Sequence, residues 1–191
     1  MTIADQVIDL LRTTGALLEG HFLLTSGLHS QAFVQCARLL QYPQHAEALG
    51  GWIADCLRDA PIDVVISPAI GGIVIGQEVA RALGVRALFG ERQEGVMTLR
   101  RGLQLAAGER VLVVEDVTTT GGSVREVIGL LEARQAVLVA VGTILDRSTA
   151  EINFAVPHHA LACLSIETYR PEDCPLCKAG GQPIKPGSRQ A

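Results

Sequence analysis

Lysine is almost absent from this chain of 191 residues. Sixteen residues are basic, and only Lys178 and Lys185 among them are lysines, while the other fourteen are arginines. Lysine chemistry is therefore excluded from the main part of the chain, and so is a nucleotide-triphosphate loop of the pattern G-x-x-x-x-G-K-[ST]. Cationic contacts must come from arginine, whose planar guanidinium makes paired hydrogen bonds to phosphate or carboxylate.

Membrane-spanning and secretory features are also missing. No apolar run reaches the ~20 residues that a membrane span needs, and the start MTIADQVIDLLRTTG is amphipathic rather than signal-like. The net charge of −4 argues against a general nucleic-acid surface, although a local basic patch stays open. We therefore predict a globular, cytoplasmic protein with no nucleic-acid partner and no membrane partner.

Metal-ligand spacing is rare among the cysteines. The five cysteines are Cys36, Cys56, Cys163, Cys174 and Cys177. Only the last two, in CPLC, have the spacing of zinc ligands. A structural zinc site needs four ligands, and the further candidates are Cys163, His158 and His159. The alternative is a plain C-terminal turn with reduced cysteines.

What is present is an alternation of apolar strands with helices. Helical spacing of apolar residues predicts helices over 3–14, 43–57, 73–83 and 122–133. Continuous apolar runs predict buried strands over 62–67, 85–90, 110–116 and 136–147. Two short strands are expected around a turn within residues 15–40. This order predicts the α/β class, with an open, mostly parallel sheet covered by helices on both faces.

The stretch VLVVEDVTTTGGSV, residues 111–124, carries the chemistry. Glu115 and Asp116 end a buried strand, where open parallel sheets bind ligands. The glycines and the helix start that follow can form a nest of N–H groups for a phosphate, to which the threonine and serine hydroxyls add. A ribose 5-phosphate fits this pattern, with its hydroxyls on the two acids. The adjacent glycines do not match a dinucleotide fingerprint, and ordinary helix capping explains only one of the hydroxyls.

That stretch resembles the phosphoribosyl-diphosphate (PRPP) motif of the type I phosphoribosyltransferases. GALLEGHFLLTSGLHS, SPAIGGIVIGQEVARALG and LDR resemble the orotate phosphoribosyltransferases in the same order, over most of residues 15–147. FGERQEGVMTLRRG is similar to a bacterial branch of that family. The resemblance implies a single domain over residues 1–170, with an N-terminal hood mainly at 15–40, followed by an irregular tail over 171–191.

The resemblance also implies an activity. It is the transfer of the 5-phosphoribosyl group from PRPP to orotate, which gives orotidine 5-monophosphate and pyrophosphate in de novo pyrimidine (UMP) biosynthesis. Mg²⁺ is the expected cofactor and is held by PRPP rather than by a protein ligand. The family pattern further implies a homodimer in which loop 92–108 reaches the partner's active site.

Roles for individual residues follow from the same resemblance. The residues expected to bind PRPP are Glu115, Asp116, Val117, Thr118, Thr119, Thr120, Gly121, Gly122, Ser123, Gly71 and Arg92. The residues expected to bind orotate are Thr119, Arg147, Phe33 and Val34, with Arg147 pairing with the orotate carboxylate.

The sequence departs from the better-studied branch in its cations. That branch has lysines where this chain has Thr25, Gly71 and Gln93. We expect Arg100 or Arg101 to replace them at the pyrophosphate, so that the catalytic set is Glu115, Asp116, Arg92, Arg100 and Arg101. The alternative is that LRRG is a solvated strand end.

Two other functions stay open from the sequence. One is a phosphoribosyltransferase for a purine base, which Arg147 disfavours because a purine has no carboxylate. The other is a non-catalytic regulator that senses PRPP, which would usually carry a basic DNA-binding segment. His29, with Ser26 and Ser30, could line the base side, or could be an exposed loop histidine.

Overall fold

The computed structural model describes residues 1–24 and 26–186. Its helices are α1 Ile3–Thr13, α2 Ala37–Leu40, α3 Pro43–Asp55, α4 Gly72–Leu83, α5 Gly122–Ala133 and α6 Pro175–Lys178. Its strands are β1 Leu17–Leu23, β2 His29–Val34, β3 Val64–Pro68, β4 Arg86–Gln93, β5 Val96–Thr98, β6 Arg110–Thr118, β7 Val137–Asp146, β8 His158–Cys163 and β9 Thr168–Tyr169.

The main sheet has the strand order β5-β4-β3-β6-β7-β8. Neighbouring strands from β4 to β8 pair in parallel, and only β5 is antiparallel to its neighbour. The chain runs outward from β3 to β4 and then returns to β6 on the other side of β3, so the strand order reverses between β3 and β6. Ligands of open α/β sheets bind at such a reversal, beyond the carboxyl ends of the strands.

The sheet is covered on both faces, and β6 shows how its sequence divides between them. Val111 and Val113 belong to one buried cluster, which includes Val127 of α5. Leu112 and Val114 belong to the other, which includes residues of α1, α3 and α4. Successive side chains of a strand point to opposite faces, so an uninterrupted apolar run is what a strand covered on both sides requires.

A second, three-stranded sheet forms the hood, in the order β1-β2-β9. β1 and β2 are an antiparallel hairpin, and β9 adds to β2 through the pairs His29–Tyr169 and Ser30–Thr168. The tail also returns to this sheet, because the Leu23 N–H donates to the Ile184 carbonyl at 2.9 Å and the Ile184 N–H donates to the His21 carbonyl at 2.8 Å.

The prediction of the fold class is confirmed, and the predicted helices and main strands are present with ends shifted by at most three residues. The bounds of β8 were not predicted, and neither were α2, β5 and β9, each of which has four residues or fewer. The tail expected to be irregular contains the helical turn α6 and the contacts of Ile184, and its residues 187–191 lie outside the described part of the chain. Among the described residues, no helix has the length and apolarity needed to cross a membrane.

Candidate active site

Glu115 and Asp116 lie at the strand-order reversal, near the carboxyl end of β6. Glu115 is buried, with 7% of its surface exposed. Its Oε1 accepts a hydrogen bond from the Asp116 N–H at 3.1 Å, and Asp116 Oδ1 accepts one from the Val117 N–H at 2.9 Å. The backbone therefore holds both carboxylates at the mouth of the loop that follows.

Burial raises the pKa of Glu115 to about 9; the negative charge of Asp116 adds to the rise and the Arg92 guanidinium opposes it. Burial also raises the pKa of Asp116. Two carboxylates this close cannot both ionise cheaply in a poorly solvated site. The raised pKa values of both acids therefore favour retention of a proton by the pair, and the pair suits a partner that donates hydrogen bonds or brings positive charge.

A cavity of about 450 Å³ opens beside this pair. Its lining includes Arg92, Glu115, Val117, Thr118, Thr119, Thr120, Gly121, Gly122 and Ser123. Gly121 has φ +74°, and a Cβ there would lie 2.8 Å from the Phe154 ring, so both the backbone and the space require glycine. The loop leads directly into α5, whose first N–H groups and positive end of the dipole suit an anion.

Arg92 reaches the same cavity from β4. Its Nε and one terminal nitrogen donate to the two carboxylate oxygens of Glu126 at 2.8 and 3.0 Å, and the terminal nitrogen also lies 3.2 Å from Ser123 Oγ. Glu126 is on α5, so this paired contact fixes the arginine beside the start of the helix. The cavity thus has a fixed cation on one side and the acid pair on the other.

Gly71, in the loop between β3 and α4, lies against Asp116. A Cβ at Gly71 would be 2.7 and 2.8 Å from the two carboxylate oxygens of Asp116. Its φ of −58° is ordinary, so glycine is needed here for space rather than for backbone freedom. The predicted site residues Gly71 and Asp116 are therefore neighbours, as the meeting of strand ends at a reversal requires.

Arg147 follows β7 and joins the same region. Its N–H donates to the Thr118 carbonyl at 2.8 Å, and its side-chain Nε is buried without a hydrogen-bond partner among the described residues. Burial lowers the pKa of its guanidinium. A buried donor without a partner is costly, so this arginine is suited to an anionic group supplied by a ligand.

Cys36 is a site neighbour that the sequence did not reveal. It is buried immediately before α2, two residues after the end of β2. Burial raises the pKa of its thiol, the charges of Asp116 and Glu115 add to the rise, and Arg147 opposes it. The thiol is therefore close enough to both acids and to the arginine for their charges to affect its pKa. A lone cysteine between two short elements carries no sequence pattern that could have indicated this position.

Other predicted site residues lie apart from this cavity. Arg101 Nε donates to Glu91 at 3.1 Å and Arg100 lies 3.8 Å from the same carboxylate, so neither lines the cavity of its own chain. Phe33 packs against Phe22 with ring centroids 6.0 Å apart, and Val34 is buried in the core. Their contact with orotate stays a prediction. Thr25 lies outside the described residues.

The family comparison agrees with this geometry. The phosphoribosyl transferase domain family matches residues 35–176. The orotate phosphoribosyltransferase of Thermoanaerobacter sp. (strain X514) is 50% identical over 186 residues, which cover 97% of this chain and 98% of the relative. That of Heliobacterium modesticaldum is 52% identical over 187 residues, which cover 97% and 98%.

Solved structures share the fold at lower identity. The crystal structure of orotate phosphoribosyltransferase from Aeropyrum pernix superposes with a TM-score of 0.70 at 24% identity, covering 83% of this chain and 93% of the other. At that identity the structural similarity shows the fold alone. The relatives at about 50% identity show the family.

Proposed function

Because this chain belongs to the orotate phosphoribosyltransferases, within the type I phosphoribosyltransferase family, we propose that it transfers the 5-phosphoribosyl group from PRPP to orotate. The products are orotidine 5-monophosphate and pyrophosphate, in the de novo pathway to UMP, with a cytoplasmic location. One observation carries the choice of base: the Nε of Arg147 is buried without a partner among the described residues, and the backbone N–H of Arg147 donates to Thr118, at the start of the phosphate-binding loop.

PRPP binds with its 5-phosphate in loop 118–123, where the first N–H groups of α5 and the loop hydroxyls donate to it. The ribose hydroxyls then donate to Glu115 and Asp116. Hydrogen bonds from the ribose hydroxyls and the accompanying positive charge stabilise the ionised carboxylates. Binding of PRPP therefore favours loss of the proton that the acid pair shares.

The reaction is a substitution at the anomeric carbon. The ring nitrogen of orotate forms a bond to that carbon and releases its proton to water or to the departing pyrophosphate. The bond from the carbon to the diphosphate oxygen breaks, and its electron pair leaves with pyrophosphate. Positive charge that develops on the ribose is stabilised by the carboxylates of Glu115 and Asp116. The remaining rate comes from holding the two reactants in line.

The site would receive Mg²⁺ together with the substrate. Two carboxylates beside a hydroxyl-rich phosphate cradle are an oxygen-only donor set, which suits a hydrated Mg²⁺ carried by phosphates. When bound, the ion neutralises the diphosphate and makes it a better leaving group. Glu115 and Asp116 are the described acids that could approach it, through the ribose hydroxyls or a water.

The pyrophosphate side depends on arginines. Arg92 is fixed beside Ser123 by Glu126, within reach of the diphosphate. Arg100 and Arg101 pair with Glu91 of their own chain. The homodimer in which loop 92–108 serves the partner's site is supported by membership of the family. In that arrangement both arginines exchange Glu91 for pyrophosphate.

The base specificity is tested by replacing Arg147. Arg147→Ala should lower kcat/KM for orotate about 30- to 150-fold, because losing a charge-assisted pair costs about 2 to 3 kcal/mol, and should leave PRPP affinity unchanged. The assay follows orotate consumption by ultraviolet absorbance with PRPP and Mg²⁺. Arg58→Ala, which removes an exposed arginine paired with Asp55, is the control and should behave as wild type. An unchanged kcat/KM in Arg147→Ala would overturn the assigned carboxylate contact.

A further inference from the structure

Four side chains from distant parts of the chain converge at the hood, away from the acid pair. They are His21 of β1, His29 of β2, and Cys174 and Cys177 at the turn of α6, and their ligand atoms all lie within 4.8 Å of one another. His29 and Cys174 are buried, and the other two are partly buried. Cys163, His158 and His159, the partners suggested by sequence proximity, are not in this cluster.

Four of the six distances between ligand atoms in the cluster are within about 0.4 Å of those in a tetrahedral metal site, and every pair lies within 4.8 Å. Zinc bonds of 2.0–2.1 Å to nitrogen and 2.3 Å to sulfur place tetrahedral ligand atoms about 3.4 Å apart for two nitrogens and about 3.6 Å apart for nitrogen and sulfur. His21 Nε2 lies 3.0 Å from His29 Nδ1, 3.5 Å from Cys174 Sγ and 3.7 Å from Cys177 Sγ. Cys177 Sγ lies 3.2 Å from His29 Nδ1.

Hydrogen bonding alone does not account for this convergence. A ring nitrogen of neutral histidine has either one proton or one lone pair, so His21 Nε2 can satisfy only one of its three close neighbours. A cation at the centre would accept a lone pair from each of the four ligand atoms, so that every one of them has a partner. Two imidazole nitrogens and two thiolates are a ligand set that favours zinc over magnesium or calcium.

The two cysteines lie in one short helical turn. The Lys178 N–H donates to the Cys174 carbonyl at 3.1 Å, and the Gly180 N–H donates to the Cys177 carbonyl at 2.8 Å. Gly180 has φ +83°, which turns the chain back toward the hairpin. The short turn therefore presents both sulfurs to one side, and glycine closes it.

We propose that His21, His29, Cys174 and Cys177 form a structural zinc site that fastens the C-terminal tail to the hood. Four protein ligands leave no open position, so the metal has no part in the transfer reaction. Its effect is to hold β1, β2 and the tail together where Ile184 hydrogen-bonds to β1. The proposal does not depend on the proposed activity. Its tests measure the zinc content of the protein and the rate at which the tail is cleaved, rather than enzyme turnover.

Metal content is measured first. Full-length protein, expressed with added zinc and freed of any affinity tag, should contain about one zinc ion per chain by elemental mass spectrometry. Cys177→Ser and His29→Asn should lose most of that zinc, while Cys56→Ser and Cys163→Ser, at exposed cysteines outside the cluster, should retain it. Zinc-free wild-type protein, or wild-type protein with a Cys174–Cys177 disulfide, would overturn the proposal without any variant having to fold.

The two lysines supply a second, site-specific readout. A lysine-specific endoprotease can cut this chain only at Lys178 and Lys185, and both residues lie in the tail. Removing zinc from wild-type protein with a chelator should speed cleavage after Lys178 at least about tenfold, because the tail then opens locally, and adding zinc back should reverse the change. Equal cleavage rates with and without chelator would contradict the fastening role.

Discussion

Replacing Glu115 with glutamine should make the stability of the folded chain less sensitive to rising pH. Burial beside Asp116 raises the pKa of Glu115 from its ordinary 4.5 to about 9. Between those values the folded state holds a proton that the unfolded state has released, so unfolding becomes easier as pH rises. The stabilising contribution of the protonated acid is complete below the unfolded pKa and is lost as pH rises through the folded one.

The magnitude follows from the proton difference. One extra proton in the folded state lowers the free energy of unfolding by about 1.4 kcal/mol per pH unit, which is an upper limit of about 4 kcal/mol between pH 5 and pH 8. Because Asp116 shares the titration, we expect about 2 kcal/mol. For a chain of this length that corresponds to a Tm difference that widens by about 4 to 8 °C. The glutamine oxygen can still accept the Asp116 N–H, so the main change is in charge.

The assay is thermal unfolding of wild type and Glu115→Gln at pH 5, 6, 7 and 8. The difference in Tm, variant minus wild type, should increase steadily from pH 5 to pH 8. Its value at pH 5 does not affect this prediction. Glu132→Gln, at an exposed position of α5, is the control and should give a constant difference. Parallel curves for wild type and Glu115→Gln would refute the claim that the acid pair retains a proton.

Two pairs of glycines give further predictions. Gly71→Ala should weaken PRPP binding about 10- to 100-fold, because its methyl group would displace the Asp116 carboxylate. Gly129→Ala is the control, since a Cβ there meets nothing within 4 Å, and should bind PRPP as wild type does. Both affinities are measured by calorimetry. Gly50→Ala should cost about 1 to 3 kcal/mol of stability by overpacking, because its Cβ would lie 2.6 Å from that of Glu78 on the neighbouring helix. Its neighbour Gly51→Ala meets nothing within 4 Å and should stabilise the helix by about 0.5 to 1 kcal/mol, so equal melting temperatures for the two variants would contradict the packing argument.

The parts of the fold that the sequence predicted are those with local signals. The strand that ends at Glu115 and Asp116 is an uninterrupted apolar run, and the loop that follows carries its own turn and capping residues, so strand, loop and helix could be placed together. The position of Glu115 and Asp116 at the ligand-binding edge followed from the rule that ligands bind at a reversal of strand order, whereas Gly71 was assigned to the same site from the family resemblance.

The parts that the sequence missed depend on contacts between distant segments. His21 and Cys174 are 153 positions apart, and neither histidine of the hairpin has a neighbour in sequence that marks it as a ligand. His29 was expected on the base side or in an exposed loop, yet it is buried in β2 facing His21. The burial of Cys36 likewise depends on how distant segments pack together, which no local pattern encodes.

The central claim concerns which base receives the phosphoribosyl group, and a competition measurement tests it most directly. Orotate, adenine and guanine at equal concentrations would be incubated with the protein, Mg²⁺ and limiting PRPP, and the nucleotides formed would be identified by mass spectrometry. The account predicts orotidine 5-monophosphate as the nucleotide product, in amounts equal to the pyrophosphate released. A purine nucleotide, or no nucleotide from protein that still binds PRPP, would contradict it.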